Sequence, residues 1–105
     1  MVQQSDIIEY VNELARRFQP ERVILFGSYA EGRATEDSDV DLFVEMDHVQ
    51  PALRQALAIR KAIHRTFPLD LVVKSPREIK QRLGQNDFFL KTIMEDGQVL
   101  YERAG

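Results

Sequence analysis

Three short apolar runs, Arg22–Phe26 (RVILF), residues 39–45 (DVDLFVE) and Leu69–Lys74 (LDLVVK), punctuate a chain whose intervening stretches carry apolar residues at helical spacing. Strands of this kind cannot stand alone, because each leaves a row of unpaired backbone groups and an apolar face. They must join in one sheet that helices cover, which predicts an α/β fold and leaves the strand order open. The first run shows no alternation and lies between Pro20 and Gly27, as expected of a strand buried on both faces. The second alternates, with Val40, Leu42 and Val44 on one face and Asp39, Asp41 and Phe43 on the other.

Ile7, Ile8, Val11, Leu14, Ala15 and Phe18 form one face of a helix over residues 5–18, which Pro20 ends. Pro51 opens a second helix running to about residue 66, with Ala52, Ala56, Ile59 and Ile63, together with Leu53 and Leu57, as its buried stripe. Ser75-Pro76-Arg77-Glu78 combines an N-cap serine, a proline at the first helical position and a glutamate three residues after the cap, so a third helix starts there. Residues 87–95 read as a fourth helix whose Phe88 and Phe89 fill core, and Asp96-Gly97 ends it. Gln98–Glu102 is then a last short strand or a packed tail. With no repeat, low-complexity segment or linker, residues 1–105 are expected to form one domain.

Fourteen Lys and Arg against 17 Asp and Glu give a net charge of −3, which lacks the positive excess of a general nucleic-acid binder. The basic residues Arg54, Arg60, Lys61 and Arg65 read as a solvated helix face. No apolar run approaches the roughly 20 residues of a membrane span, and Met1-Val2-Gln3-Gln4 lacks the plan of a signal peptide, so a cytoplasmic protein without membrane contact is expected. There is no cysteine, so any metal must bind oxygen or histidine. His48 and His64 lie away from the acidic residues and read as surface or packing histidines.

The chemistry concentrates in residues 26–45, FGSYAEGRATEDSDVDLFVE. Residues two apart on a strand point the same way, so Asp39 and Asp41 would hold their carboxylates side by side. Like charges this close repel, so either one is protonated or a cation lies between them; Mg²⁺, a hard cation that keeps several waters, suits two carboxylates plus substrate phosphates. A strand ending in Gly27-Ser28 leaves backbone N–H groups and a hydroxyl free at the next turn, where a phosphate could be held. Ser28 and Glu31 also spell a capping box, a structural role compatible with the first. Asp70 is set among Leu69, Leu71, Val72 and Val73, where a buried carboxylate must be neutral, paired or metal-bound. If its strand lies beside that of Asp39, three carboxylates converge, and two Mg²⁺ ions roughly 4 Å apart could clamp a phosphoryl centre. Asp70 could also draw the proton from the nucleophile.

This ordered set, Gly-Ser after a buried strand, ten residues, then Asp-x-Asp, resembles the signature of the DNA polymerase β-like nucleotidyltransferase superfamily. The chain length, LDLVV and DGQVLYE are similar to its minimal members, the antitoxins of HEPN/MNT toxin–antitoxin systems. The resemblance implies a small mixed sheet of three to four strands flanked by helices. It implies ATP as substrate, two Mg²⁺ ions and transfer of AMP to a hydroxyl. Gly27 and Ser28 match the nucleotide-binding pair, and Asp39, Asp41 and Asp70 match the catalytic and metal-binding acids. Glu31 departs from the basic residue common in relatives. The implied partner is a HEPN-family ribonuclease toxin, modified on a tyrosine and held in a hetero-oligomer; a bulky anionic group beside an RNA-binding cleft would repel RNA. Two other readings stay open: a small-molecule acceptor, and an inert antitoxin that blocks its toxin by binding. Arg77, Lys80 and Arg82 are expected to steer triphosphate towards the site.

Overall fold

The computed structural model describes residues 1–104. Its elements in order are α1 (Gln4–Phe18), β1 (Arg22–Phe26), a 3₁₀ turn (Gly27–Tyr29), β2 (Val40–Glu45), α2 (Ala52–Ala62), β3 (Leu69–Lys74), α3 (Pro76–Gly84), α4 (Phe88–Asp96) and β4 (Gln98–Glu102). The strands form one mixed sheet in the order β3-β2-β1-β4, with β1 antiparallel to β2 and β4, and β2 parallel to β3. Of the two readings of the last segment, the strand is correct: β4 pairs along β1.

Period-2 alternation divides the sheet's side chains between two helical layers. Val23, Leu25, Val40, Leu42 and Val44 point towards α1 and α2, where they pack with Leu14, Val11, Ile59 and Ile63. Ile24 and Phe43 point the other way, towards Ile79 of α3 and Leu90 and Ile93 of α4. Val23, Ile24 and Leu25 are all buried, so β1 is covered on both faces as its unbroken apolar run requires.

The caps follow local chemistry. α1 ends at Gln19, in the left-handed region (φ 51), one residue before Pro20. α3 carries the full capping box: Ser75 Oγ accepts from the Glu78 N–H (3.1 Å), and the Glu78 carboxylate accepts from the Ser75 N–H (2.9 Å). α2 stops at Ala62, short of residue 66, because Ile63 is extended (φ −121, ψ 120) and the chain must turn back to begin β3.

Three burial expectations are corrected. Leu53 and Leu57 stand 75% and 47% exposed, since α2 turns the stripe containing Ala56 and Ile59 to the sheet. Phe88 and Phe89 do not fill core; they are 82% and 53% exposed at the start of α4, whose inward face is Leu90 and Ile93. Asp70 is exposed, because β3 is an edge strand.

Candidate functional site

One row of the sheet collects the acidic residues. In the antiparallel register Phe26 opposes Asp41, and in the parallel register Asp41 opposes Asp70, so the three lie side by side on the α3/α4 face. Directly beneath them Ile24, Phe43 and Val72 form the next row on that face and belong to the core. The carboxylates are thus set on an apolar floor at the end of the sheet where β1 finishes and β2 and β3 begin. Asp39 precedes β2 and is exposed.

Asp41 carries the cost of this placement. Burial first, then the Asp70 carboxylate within proton-sharing reach, then the more distant charge of Asp39, push its carboxyl up to about 6 from an ordinary 3.8. A hard divalent cation would relieve that repulsion, so the donor chemistry of the pair fits Mg²⁺. The described residues hold no group of three His, Cys, Asp or Glu side chains that by themselves form a metal cage. The convergent pair is Asp41 with Asp70, and Asp39 acts on it through charge.

The Gly-Ser pair meets Asp41 from β1. Gly27 adopts φ +74, and a Cβ there would overlap the Asp41 carboxylate. The close approach that needs glycine is therefore made by a side chain of the site itself. The capping box expected of Ser28 and Glu31 does not form: Ser28 lies within the 3₁₀ turn rather than at its cap, and Glu31 pairs with Arg33 at 3.2 Å. Its acidic side chain is thereby partly neutralised.

Sequence reasoning missed one part of this region. An apolar cavity of about 230 Å³ opens beside Gly27, walled by Phe26, Phe89, Ile93 and Gly97, with Phe26 and Phe89 edge-to-face at 5.7 Å. The signal was present in the helical spacing of Phe89, Thr92, Ile93 and Asp96, which puts all four along one side of α4. Arg77, Lys80 and Arg82, expected to steer triphosphate, all lie exposed on α3. Arg77 opens α3 after Lys74, which sits opposite Glu45 at the other end of the sheet, and Arg82 faces Asp87 at 3.8 Å. His48 is likewise remote, bonded to the Gln50 carbonyl and to Glu78.

Comparisons with known proteins agree with this architecture. The family model described as "Nucleotidyltransferase domain" matches residues 7–100. MntA of Thermococcus cleftensis, a protein adenylyltransferase, is 35% identical over 74 residues, covering 69% of this chain and 74% of its own. A Methanocaldococcus jannaschii protein inferred to be a protein adenylyltransferase is 30% identical over 107 residues, covering 96% of this chain and 100% of its own. Among solved structures, an inferred nucleotidyltransferase from Sulfolobus solfataricus superposes with a TM-score of 0.63 at 22% identity, covering 94% of this chain and 79% of that one. A toxin–antitoxin structure with AMP-PNP superposes with a TM-score of 0.58 at 24% identity, covering 91% and 73%; at these identities the likeness concerns the fold. With a mixed sheet flanked by helices, a Gly-Ser turn against an acidic pair, and a family match across nearly its whole length, this chain belongs to the nucleotidyltransferase domain family.

Proposed function

We propose that residues 1–105 act as one Mg²⁺-dependent catalytic domain that moves AMP from ATP to a tyrosine hydroxyl of a HEPN-family ribonuclease toxin, and so serves as its antitoxin. The observation that carries this reading is the convergence of Asp41 and Asp70 over Gly27, with the Asp39 charge beside them. The names of the protein adenylyltransferase relatives support the protein acceptor.

In this reading Asp39, Asp41 and Asp70 would hold two Mg²⁺ ions, whose chemistry is to neutralise phosphate charge as the leaving group departs. The Gly27-Ser28 turn would bind the triphosphate through backbone N–H groups and the serine hydroxyl. The apolar cavity walled by Phe26 and Phe89 suits a planar ring. Asp70, exposed at the sheet edge, can accept the acceptor's proton as its oxygen bonds to the α-phosphorus. The bond from that phosphorus to the bridging oxygen breaks, and pyrophosphate leaves with the electron pair.

The test is intact mass spectrometry of the protein encoded by the neighbouring gene after incubation with this chain, ATP and Mg²⁺. A gain of one or more adenylyl groups, lost with Asp41→Asn, is expected. Neutralisation of toxicity with no mass gain would replace the enzyme by an antitoxin that acts by binding alone. Adenylation only of a small-molecule substrate would move the activity to that class.

A further inference from the structure

We propose that Gln98, at the start of β4, is a positioning residue that holds the Gly27-Ser28 turn in shape for the phosphates of its nucleotide; this rests on the reading that the turn takes the triphosphate. The turn from α4 into β4 is built for close approach. A Cβ on Gly97 would lie 2.5 Å from Ile24 Cγ2 and 2.5 Å from the Ile93 carbonyl oxygen, so β4 starts hard against β1. Gln98 is thereby set opposite Leu25, whose side chain packs with α1 and α2, and paired residues point to the same face. Gln98 therefore works from the face of the sheet away from Asp41 and Asp70. Its Nε2 reaches past the end of β1 and donates to the Ala30 carbonyl at 2.9 Å, across 68 positions of sequence.

That carbonyl belongs to the framework of the turn. Gly27 O accepts the N–H groups of Ala30 and Glu31, each at 3.1 Å, and Ser28 O accepts that of Arg33 at 3.0 Å. In a trans peptide the N–H points opposite its C=O, so these bonds aim the N–H groups of Ser28 and Tyr29 away from the residues that follow. The Ala30–Glu31 peptide is joined on both sides, its oxygen to Gln98 and its N–H to Gly27 O. It passes the restraint of β4 directly to the peptide that carries the Ser28 N–H.

An outside restraint is needed because the local ones are weak. Gly27 (φ +74) and Gly32 (φ +72) bracket the segment with backbone that has many alternatives, and a single 3₁₀ turn has poor hydrogen-bond geometry of its own. A second tether comes from the same side: Tyr29 Oη accepts from the Val2 N–H at 3.1 Å, and Tyr29 and Ala30 pack against the core that includes α1. Both tethers grip the turn from behind and leave its Asp41 side to the ligand. Glutamine suits the place, since a carboxylate would repel the Ala30 oxygen and a shorter amide would not reach it.

The test compares Gln98→Met, of similar length but without a donor, with Arg103→Leu, which removes a tether of the same kind at the far end of β4, where Arg103 bonds Glu21 and the Gln19 carbonyl. Binding of an ATP analogue with a methylene in place of the α–β bridging oxygen is read by titration calorimetry of the full chain in Mg²⁺. Gln98→Met is expected to weaken it about fivefold, and the distant Arg103→Leu by less than about twofold. Mg²⁺ alone should raise the melting temperature of Gln98→Met as much as that of the wild type, because the carboxylates lie on the other face of the sheet. In partner adenylylation the loss should fall on the KM for ATP, up about fivefold, with kcat within about twofold. Gln98→Asn keeps the amide but falls one methylene short, should match Gln98→Met, and gives the same reading if that variant does not fold. Unchanged analogue affinity in Gln98→Met, an equal loss in Arg103→Leu, or a smaller Mg²⁺ response in Gln98→Met would overturn the proposal. A wild type that does not bind the analogue removes the nucleotide reading and this proposal together. The expected binding pattern without adenylylation of the partner leaves the role of Gln98 standing and removes the transfer reading.

Discussion

Gly27 and Asp41 are best understood together, because each constrains the other. Gly27→Ala would force a left-handed backbone on alanine, at about 1–2 kcal/mol, and would push the Asp41 carboxylate off its place. We expect a folded protein with transfer activity reduced about a hundredfold, measured as the rate of partner adenylylation beside the thermal melt. Asp41 itself works against folding when no cation is bound. Its carboxyl holds a proton more tightly in the folded chain than in the unfolded one, so stability falls as pH rises from 3.8 towards about 6. Above that range Asp41→Asn should stabilise the metal-free protein by about 1 kcal/mol, allowing for solvent screening of a partly exposed pair, or roughly 4–8 °C in a chain of this size. Differential scanning fluorimetry with and without Mg²⁺ checks this: the cation should raise the melting temperature of the wild type and leave that of Asp41→Asn unchanged. The expectation that the strand period sets Asp39 beside Asp41 gives way to a different pair: Asp39 precedes β2, and it is the register of β2 against β3 that brings Asp70 beside Asp41. The exposure of Asp70 was not legible, since it depends on which strand occupies the sheet edge, and no residue of LDLVVK encodes its neighbours.

At the level of elements, the start of α3 is tied to the end of β2 through His48, whose Nε2 lies 2.7 Å from Glu78. The Gln50 carbonyl first, and Glu78 second, raise the pKa of His48, while the Ser75 backbone N–H is the main influence lowering that of Glu78. The His48 contribution is complete below its ordinary 6.5 and is lost as pH rises through the raised value. The Glu78 contribution is complete above 4.5 and is lost as pH falls through the lowered one. Both are present between these limits, so in the Asp41→Asn background, which lacks the slope that Asp41 imposes between 3.8 and about 6, a pH series of melting temperatures should show a plateau there, and adding His48→Gln should flatten the decline above it. Sequence exposed the Ser75-Glu78 cap because its two partners are three residues apart. It concealed His48, which meets Glu78 across 30 positions. The exposure of Leu53, Leu57, Phe88 and Phe89 was hidden for a related reason: each lies next to residues that are truly inward, and periodicity alone does not choose between adjacent stripes.

For the molecule as a whole, one sheet serves two apolar layers, and the α3/α4 layer is the smaller. Phe43 is fully buried at its centre, directly beneath Asp41 in the alternation of β2. Phe43→Ala should cost about 3–5 kcal/mol, a large part of the roughly 5–15 kcal/mol typical of a small domain, and urea denaturation should show the midpoint falling accordingly. The α/β class was legible from the alternation of strand and helix patterns, and so was the burial of β1 on both faces. The order of the strands in the sheet had no local signal, as it is decided by how the helical layers pack. The parallel pairing of β2 with β3 has a kinetic meaning as well. Asp41 and Asp70 become neighbours only after the entire segment 46–68 has closed its crossover, the kind of non-local step that sets the pace of folding. A chain in which β2 and β3 have not yet met therefore has no paired carboxylates, and in the proposed Mg²⁺-dependent reading cation uptake becomes a natural stopwatch for the closing of this one crossover.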